Sequence, residues 1–146
     1  MRLIALQTKE MYPALFNVLE RNEISYEIKS TYCVKCHISV HDEDVSIMIK
    51  TDTDKMLVTI YSPLNFFVPA HMATDISLAV CMLNHSLADG CFCYDIGDGL
   101  VYFKMTSSFY NSRPDDSCFE YMLSYTADII EEYGAKLYRL VNLGRA

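Results

Sequence analysis

The chain has 146 residues, 51% of them hydrophobic, and 19 acidic against 12 basic groups give a formal net charge of −7. That length suits one domain, read here as residues 1–146, which buries roughly two-thirds of its unfolded surface without disulfides or metal. The acidic balance, with no local run of lysines or arginines, argues against nucleic acid, and no apolar run approaches the roughly 20 residues that span a bilayer.

The opening Met1-Arg2-Leu3-Ile4-Ala5-Leu6 is shorter than the apolar stretch of about 7–15 residues in an export signal. The expected compartment is therefore the cytoplasm, with free thiols. The net charge would suit a partner carrying a basic segment.

Residues 1–10 carry no assignment. A first helix is expected from Tyr12 to about Arg21, with Met11, Leu15, Val18 and Leu19 at helical spacing. Pro13 fits only its first turn, because proline has no N–H to give to an earlier carbonyl. From Ile24 the pattern turns to strands. Tyr26 and Ile28 share parity with Val34, so this segment is either an extra strand or an extension of the next one, with a break near Ser30-Thr31.

Three strands follow. Val34, Cys36, Ile38 and Val40 alternate with polar neighbours, as do Val45, Ile47 and Ile49, and then Met56, Val58 and Ile60. Folding around His41–Asp44 pairs Val40 with Val45, Ile38 with Ile47 and Cys36 with Ile49. Folding around Asp52–Lys55 pairs Ile49 with Val58 and Ile47 with Ile60. A slip of one residue would turn every apolar side chain to the other face.

Pro69 starts a helix to about Ala88, striped by Met72, Ile76, Val80, Leu83 and Leu87, and Gly90 suits a left-handed cap. Asp98-Gly99 then predicts a two-residue type I′ turn, pairing Ile96 with Val101, Tyr94 with Phe103 and Phe92 with Met105. Pro114-Asp115-Asp116 opens a final helix, where proline suits the first position and carboxylates suit the positive end. Its stripe is Phe119, Met122, Thr126, Ile129, Ile130 and Tyr133. Gly134 either ends or weakens it, and Leu137, Leu140 and Val141 suggest more helix up to Gly144. The expected fold is α+β. It is a five-stranded antiparallel sheet, a three-strand meander plus a hairpin, with three helices on one face, in the order α-β-β-β-α-β-β-α.

Cys33-Val34-Lys35-Cys36-His37 reads as C-x-x-C-H, the c-type haem attachment motif. In a strand, however, positions 33 and 36 point to opposite faces, so both thiols cannot reach one haem or one ion. Cys91 and Cys93 share a face and, with Cys118 and one of His37, His41 or His85, could bind zinc. A lone C-x-C is poor evidence for that, and small buried thiols are the plainer reading. Asp52-x-Asp54 lacks the Gly and Glu of a calcium loop. Asp95 and Asp98 are ordinary turn residues, Asp42-Glu43-Asp44 is a solvated loop, and Asp115-Asp116 is a helix start. Asn84 is expected to bond backbone or water. No phosphate-binding, dinucleotide, nucleophile-elbow or zinc-protease motif occurs. No catalytic residue, cofactor or metal is therefore assigned.

The sheet face away from the helices is the candidate binding surface. It carries Met48, Leu57, Thr59, Tyr61, Tyr102 and Lys104 beside His37 and Lys35, a mixture that suits an interface. Charged replacements of Leu57 and Tyr61 are expected to abolish self-association while keeping the fold.

The order of elements resembles the YbjN family, also labelled bacterial sensory transduction regulators, on particular residues. These are Leu83-Asn84, then Gly90-x-Phe92-x-Tyr94-Asp95, Asp98-Gly99-Leu100-Val101, and Leu137-x-x-Leu140-Val141-x-x-Gly144. The resemblance implies a fold shared with type III secretion chaperones, which are dimers that hold an extended client segment. It implies a bacterial, non-enzymatic, protein-binding or regulatory role and a homodimer. The alternatives are a thiol- or metal-dependent protein using Cys33/Cys36 or Cys91/Cys93, and a structural subunit of a larger assembly.

Overall fold

The computed structural model describes residues 12–110 and 112–143. The opening hexapeptide, Met11 and Gly144 lie outside the described residues. The elements run α1 (Pro13–Arg21), β1 (Ser25–Ser30), β2 (Cys33–Val40), β3 (Glu43–Asp52), β4 (Leu57–Pro63), a single 3-10 turn (Ala70–Met72), α2 (Ala73–Ser86), β5 (Cys91–Asp95), β6 (Leu100–Ser108) and α3 (Asp116–Leu143). The described strands form one sheet in the order β1-β2-β3-β4-β6-β5, and each neighbouring pair is antiparallel.

Among the described residues the α+β class and the three helices agree with expectation, but the sheet has six strands and the order is α-β-β-β-β-α-β-β-α. The sixth is β1, which doubles back on β2 so that Tyr26 faces Cys36 and Ile28 faces Val34. Its connection at Thr31-Tyr32 carries no Gly, Pro or Asn. The turn is held instead by the Ser30 hydroxyl, which accepts the Tyr32 N–H at 3.2 Å.

All three anticipated registers are shifted by two residues. Ile38 faces Val45, Cys36 faces Ile47 and Val34 faces Ile49. His41 and Asp42 both have positive φ, 46° and 65°, so they make the two-residue hairpin turn themselves and release Glu43 and Asp44 into β3. Ile49 faces Ile60 and Thr51 faces Val58. Asp52 Oδ1 accepts the N–H groups of Asp54 and Lys55 at 3.1 and 3.0 Å, which moves the loop to residues 53–56 and puts Met56 outside the strand. Phe92 faces Phe103 and Tyr94 faces Val101. Here Asp95 Oδ1 accepts the Gly97 N–H at 2.8 Å and the Asp95 carbonyl accepts the Gly99 N–H at 2.9 Å, giving a four-residue loop instead of a type I′ pair. Ile96 is left exposed in that loop.

A shift of two preserves parity, so the apolar sets still share one face. Val34, Cys36, Val45, Ile47, Ile49, Val58, Ile60, Phe92, Val101, Phe103 and Met105 are all buried. The helices supply the other half of this core through Leu15 and Leu19, Met72, Ile76 and Val80, and Phe119, Met122, Leu123, Leu137 and Val141. The long α3 meets β2 and β6, α1 packs on α3, and α2 packs on β5 and α3. Arg21 at the end of α1 reaches Asp116 and Glu120 on α3 at 3.4 and 3.3 Å.

One glycine expectation needs correction. α2 ends at Ser86 and Leu87 is extended, so Gly90 caps no helix. It leads into β5 with φ 67°, pressed against Phe103. At Gly134, where ending and weakening were both open, α3 continues to Leu143, and the expected extension through the buried Leu137 and Val141 holds. α3 begins two residues later than Pro114, which lies outside it: Asp115 is the cap, its Oδ1 accepting the Cys118 N–H at 2.9 Å, and Asp116 is the anticipated carboxylate in the first turn.

Candidate functional site

The strand side chains of the other parity form the outer face of the sheet. Cross-strand pairing sets them in rows. One row runs Glu27, Lys35, Met48, Tyr61, Lys104, Cys91; a second runs Cys33, Lys50, Thr59, Thr106; a third runs Pro63, Tyr102, Cys93. All five anticipated contact residues are on this face: Met48, Thr59, Tyr61 and Tyr102 near its middle, and Leu57 at the end of β4. Each is half-buried, as on a sheet face that neighbouring side chains shelter but no second layer closes.

Tyr61 is the centre. The Lys50 Nζ lies 5.4 Å from its ring centroid and the Lys104 Nζ 5.6 Å. On one side is a hollow of about 810 Å³ lined by Met48, Pro63, Cys93, Ile96 and Tyr102 among others. On the other is a hollow of about 510 Å³ with Tyr32, Leu57, Thr59 and Thr106 in its wall. Tyr102 donates its hydroxyl to Asp98 Oδ2 at 2.5 Å, and that bond, with burial and the charges of Asp98 and Asp95, pushes its phenol up to about 12. Tyr102 is thus a neutral hydrogen-bonding group at any physiological pH.

The sequence motifs are dispersed by the fold. Cys33 is on the outer face, whereas Cys36 is fully buried in the core, where desolvation pushes its thiol up to about 12. His37 is on the outer face near Asp44, at 3.6 Å. Cys91 and Cys93 do sit side by side, with 3.8 Å between their sulfurs. Burial, then the neighbouring Cys91, raises the pKa of Cys93, so it is a poorer thiolate than a free cysteine. Cys118 belongs to the covered side, beside Ser107 and Met122, and His41 pairs with Glu131 of α3. No group of three or more His, Cys, Asp or Glu converges to hold a metal among the described residues. None of their helices is long and apolar enough to cross a membrane.

Asn84 is not aimed at a ligand. Its amide donates to the Phe92 carbonyl at 2.9 Å and accepts the Phe92 N–H at 2.7 Å, fastening the end of α2 to strand β5 as a second strand would. Sequence reasoning missed Lys50, although its parity with Met48 was readable. It also missed Cys93 and Ile96 as walls of the larger hollow, because the register had to be known first.

No family model matches the chain, and no curated protein matches it. Solved structures do. The ExsC–ExsE complex is similar at 15% identity and TM-score 0.63, covering 89% of this chain and 95% of that one. YbjN from E. coli is similar at 13% identity and TM-score 0.62, covering 85% and 91%. The HopA1–SchA chaperone–effector complex is similar at 8% identity and TM-score 0.60, covering 89% and 97%. At such identities the likeness is one of fold. The chain therefore has the YbjN-like, type III secretion chaperone-like fold that the sequence resemblance implied.

Proposed function

We propose that this chain is a non-enzymatic protein-binding module, chaperone-like or regulatory, that works as a homodimer in the cytoplasm as a single domain. Met48, Leu57, Thr59, Tyr61 and Tyr102 are its contact residues. One observation carries the reading: a six-stranded sheet has its inner face packed under three helices, while its outer face gathers aromatic and apolar side chains around two hollows. Such a surface suits an extended protein segment, with side chains entering the hollows and little rearrangement of the sheet. Two of the similar structures support this as assemblies of two different proteins, ExsC with ExsE and SchA with HopA1.

Self-association has better support on α2 than on the sheet. The outer side of α2 exposes Leu78 and Met82, 61% and 74% accessible, although its inner side is already buried. A helix apolar on both sides is one that is covered on both. Across a two-fold axis the outer sheet face would instead bring Lys50 and Lys104 towards their own copies. Leu57→Asp with Tyr61→Asp is expected to lose a co-purifying protein partner by at least about tenfold. It should keep its mass by light scattering and melt within a few degrees of wild type. Leu78→Glu with Met82→Glu is expected to halve the mass. A partner retained in full by the sheet-face variant contradicts the reading.

A thiol- or metal-dependent role rests on the adjacent Cys91 and Cys93 sulfurs alone. Stoichiometric zinc or copper lost on Cys91→Ser with Cys93→Ser would favour it over the binding module.

A further inference from the structure

The net charge of −7 suggests a basic partner, but the outer face says the opposite. Among the described residues the ion pairs of the lysines and arginines engage Arg21 and Lys29, whereas Lys50 and Lys104 join none. Both ammonium groups lie instead within 5.6 Å of the Tyr61 ring centroid, so two like charges share one aromatic. Neither ammonium group has a described carboxylate at ion-pair distance, so an incoming anion gains the attraction of both without displacing an existing ion pair. Lys50, Tyr61 and Lys104 are also the three residues that line both hollows, so they form the ridge between them.

We infer that the Lys50–Tyr61–Lys104 ridge is the anchor for an acidic, apolar segment of a partner protein. The partner's Asp or Glu carboxylate sits between the two ammonium groups at the edge of Tyr61. Apolar side chains on either side of it enter the two hollows, against Met48, Pro63 and Ile96 on one side and Leu57 on the other. The aspartates are at the rims of the face, Asp52 and Asp54 in the wall of the smaller hollow and Asp95 in that of the larger. They repel a polyanion that is acidic throughout, so a short acidic centre with apolar flanks is favoured over a nucleic acid. This inference rests on the outer face being the binding surface and adds the chemistry of what binds there.

The test uses three fluorescent pentapeptides, Leu-Glu-Phe-Glu-Leu, Leu-Gln-Phe-Gln-Leu and Leu-Lys-Phe-Lys-Leu, with a single-stranded oligonucleotide beside them, titrated against the whole protein. The acidic peptide is expected to bind at least about tenfold more tightly than the other two peptides and than the oligonucleotide, and to weaken as salt rises from about 50 to 300 mM. Lys50→Glu with Lys104→Glu, folded by its melting curve, should reverse the order of the acidic and basic peptides. Equal binding of the acidic and neutral peptides, both lost in Leu57→Asp, overturns the acidic anchor but leaves the outer face as a binding surface. Preference for the oligonucleotide, or an acidic-peptide affinity unchanged by charge reversal, also overturns the anchor. Absence of binding by every peptide overturns anchor and surface together.

Discussion

Phe103→Ala is expected to cost about 3–5 kcal/mol, the range for emptying an aromatic site in a packed core. That is about a fifth or more of the stability of an ordinary domain, about 5–15 kcal/mol. Phe103 is fully buried in the middle of β6. Its ring meets Phe92 edge-on at 5.3 Å and Tyr125 at 6.1 Å, joining strand β5 and helix α3 through one side chain. The neighbours cannot collapse into the space, because β5 and α2 are held together by the Asn84 amide on the Phe92 backbone. Urea unfolding should show the midpoint falling with the slope kept. A loss below about 1.5 kcal/mol would mean that this site relaxes freely.

Gly90→Ala is expected to cost about 2–5 kcal/mol for two separable reasons. Gly90 has φ 67°, a conformation that costs an L-residue roughly 1–2 kcal/mol. A Cβ there would also stand 2.5 Å from Phe103 Cζ and 2.9 Å from the Lys104 carbonyl oxygen. Overpacking of this kind adds about 1–3 kcal/mol. The two sites touch, so their effects should not add. In the Phe103→Ala background the ring clash disappears while the approach to the Lys104 carbonyl oxygen stays, so Gly90→Ala should cost less than in the wild type but more than its backbone strain alone. Strict additivity in the double-mutant cycle would show that the Phe103 ring is not part of what demands glycine.

The pattern of success and failure in reading the sequence has one cause. Alternation specifies the face of a strand residue but is blind to shifts of two. Parity therefore puts Val45 in the core, where it lies, but cannot decide between Val40 and its actual partner Ile38. The partner is decided by turn chemistry, and here short side chains close the loops in ways composition does not advertise. Asp52 caps two backbone N–H groups, and Asp95 captures Gly97. His41 accepts a positive φ where glycine or asparagine would have announced it. Parity alone allows β1 to be either a separate strand or an extension of β2, because nothing at Thr31-Tyr32 signals a reversal.

The candidate surface was legible for the same reason that the registers were not. Met48, Leu57, Thr59, Tyr61 and Tyr102 depend on parity alone. The convergence of Lys50 and Lys104 on Tyr61 depends on register across three strands, β3, β4 and β6. A linear scan for basic runs therefore cannot find it, and a whole-chain charge of −7 conceals it.

Thiol labelling of the protein with its native partner bound tests the outer face most directly. Cys93 is exposed on that face, Cys81 is exposed on the outer side of α2, and Cys36 is buried in the core. Alkylation by N-ethylmaleimide, read by mass spectrometry, should slow at Cys93 by about tenfold or more in the complex, while Cys36 stays unmodified in both states as a check on folding. Cys93 reacting at the same rate with the partner bound as without it would contradict the account.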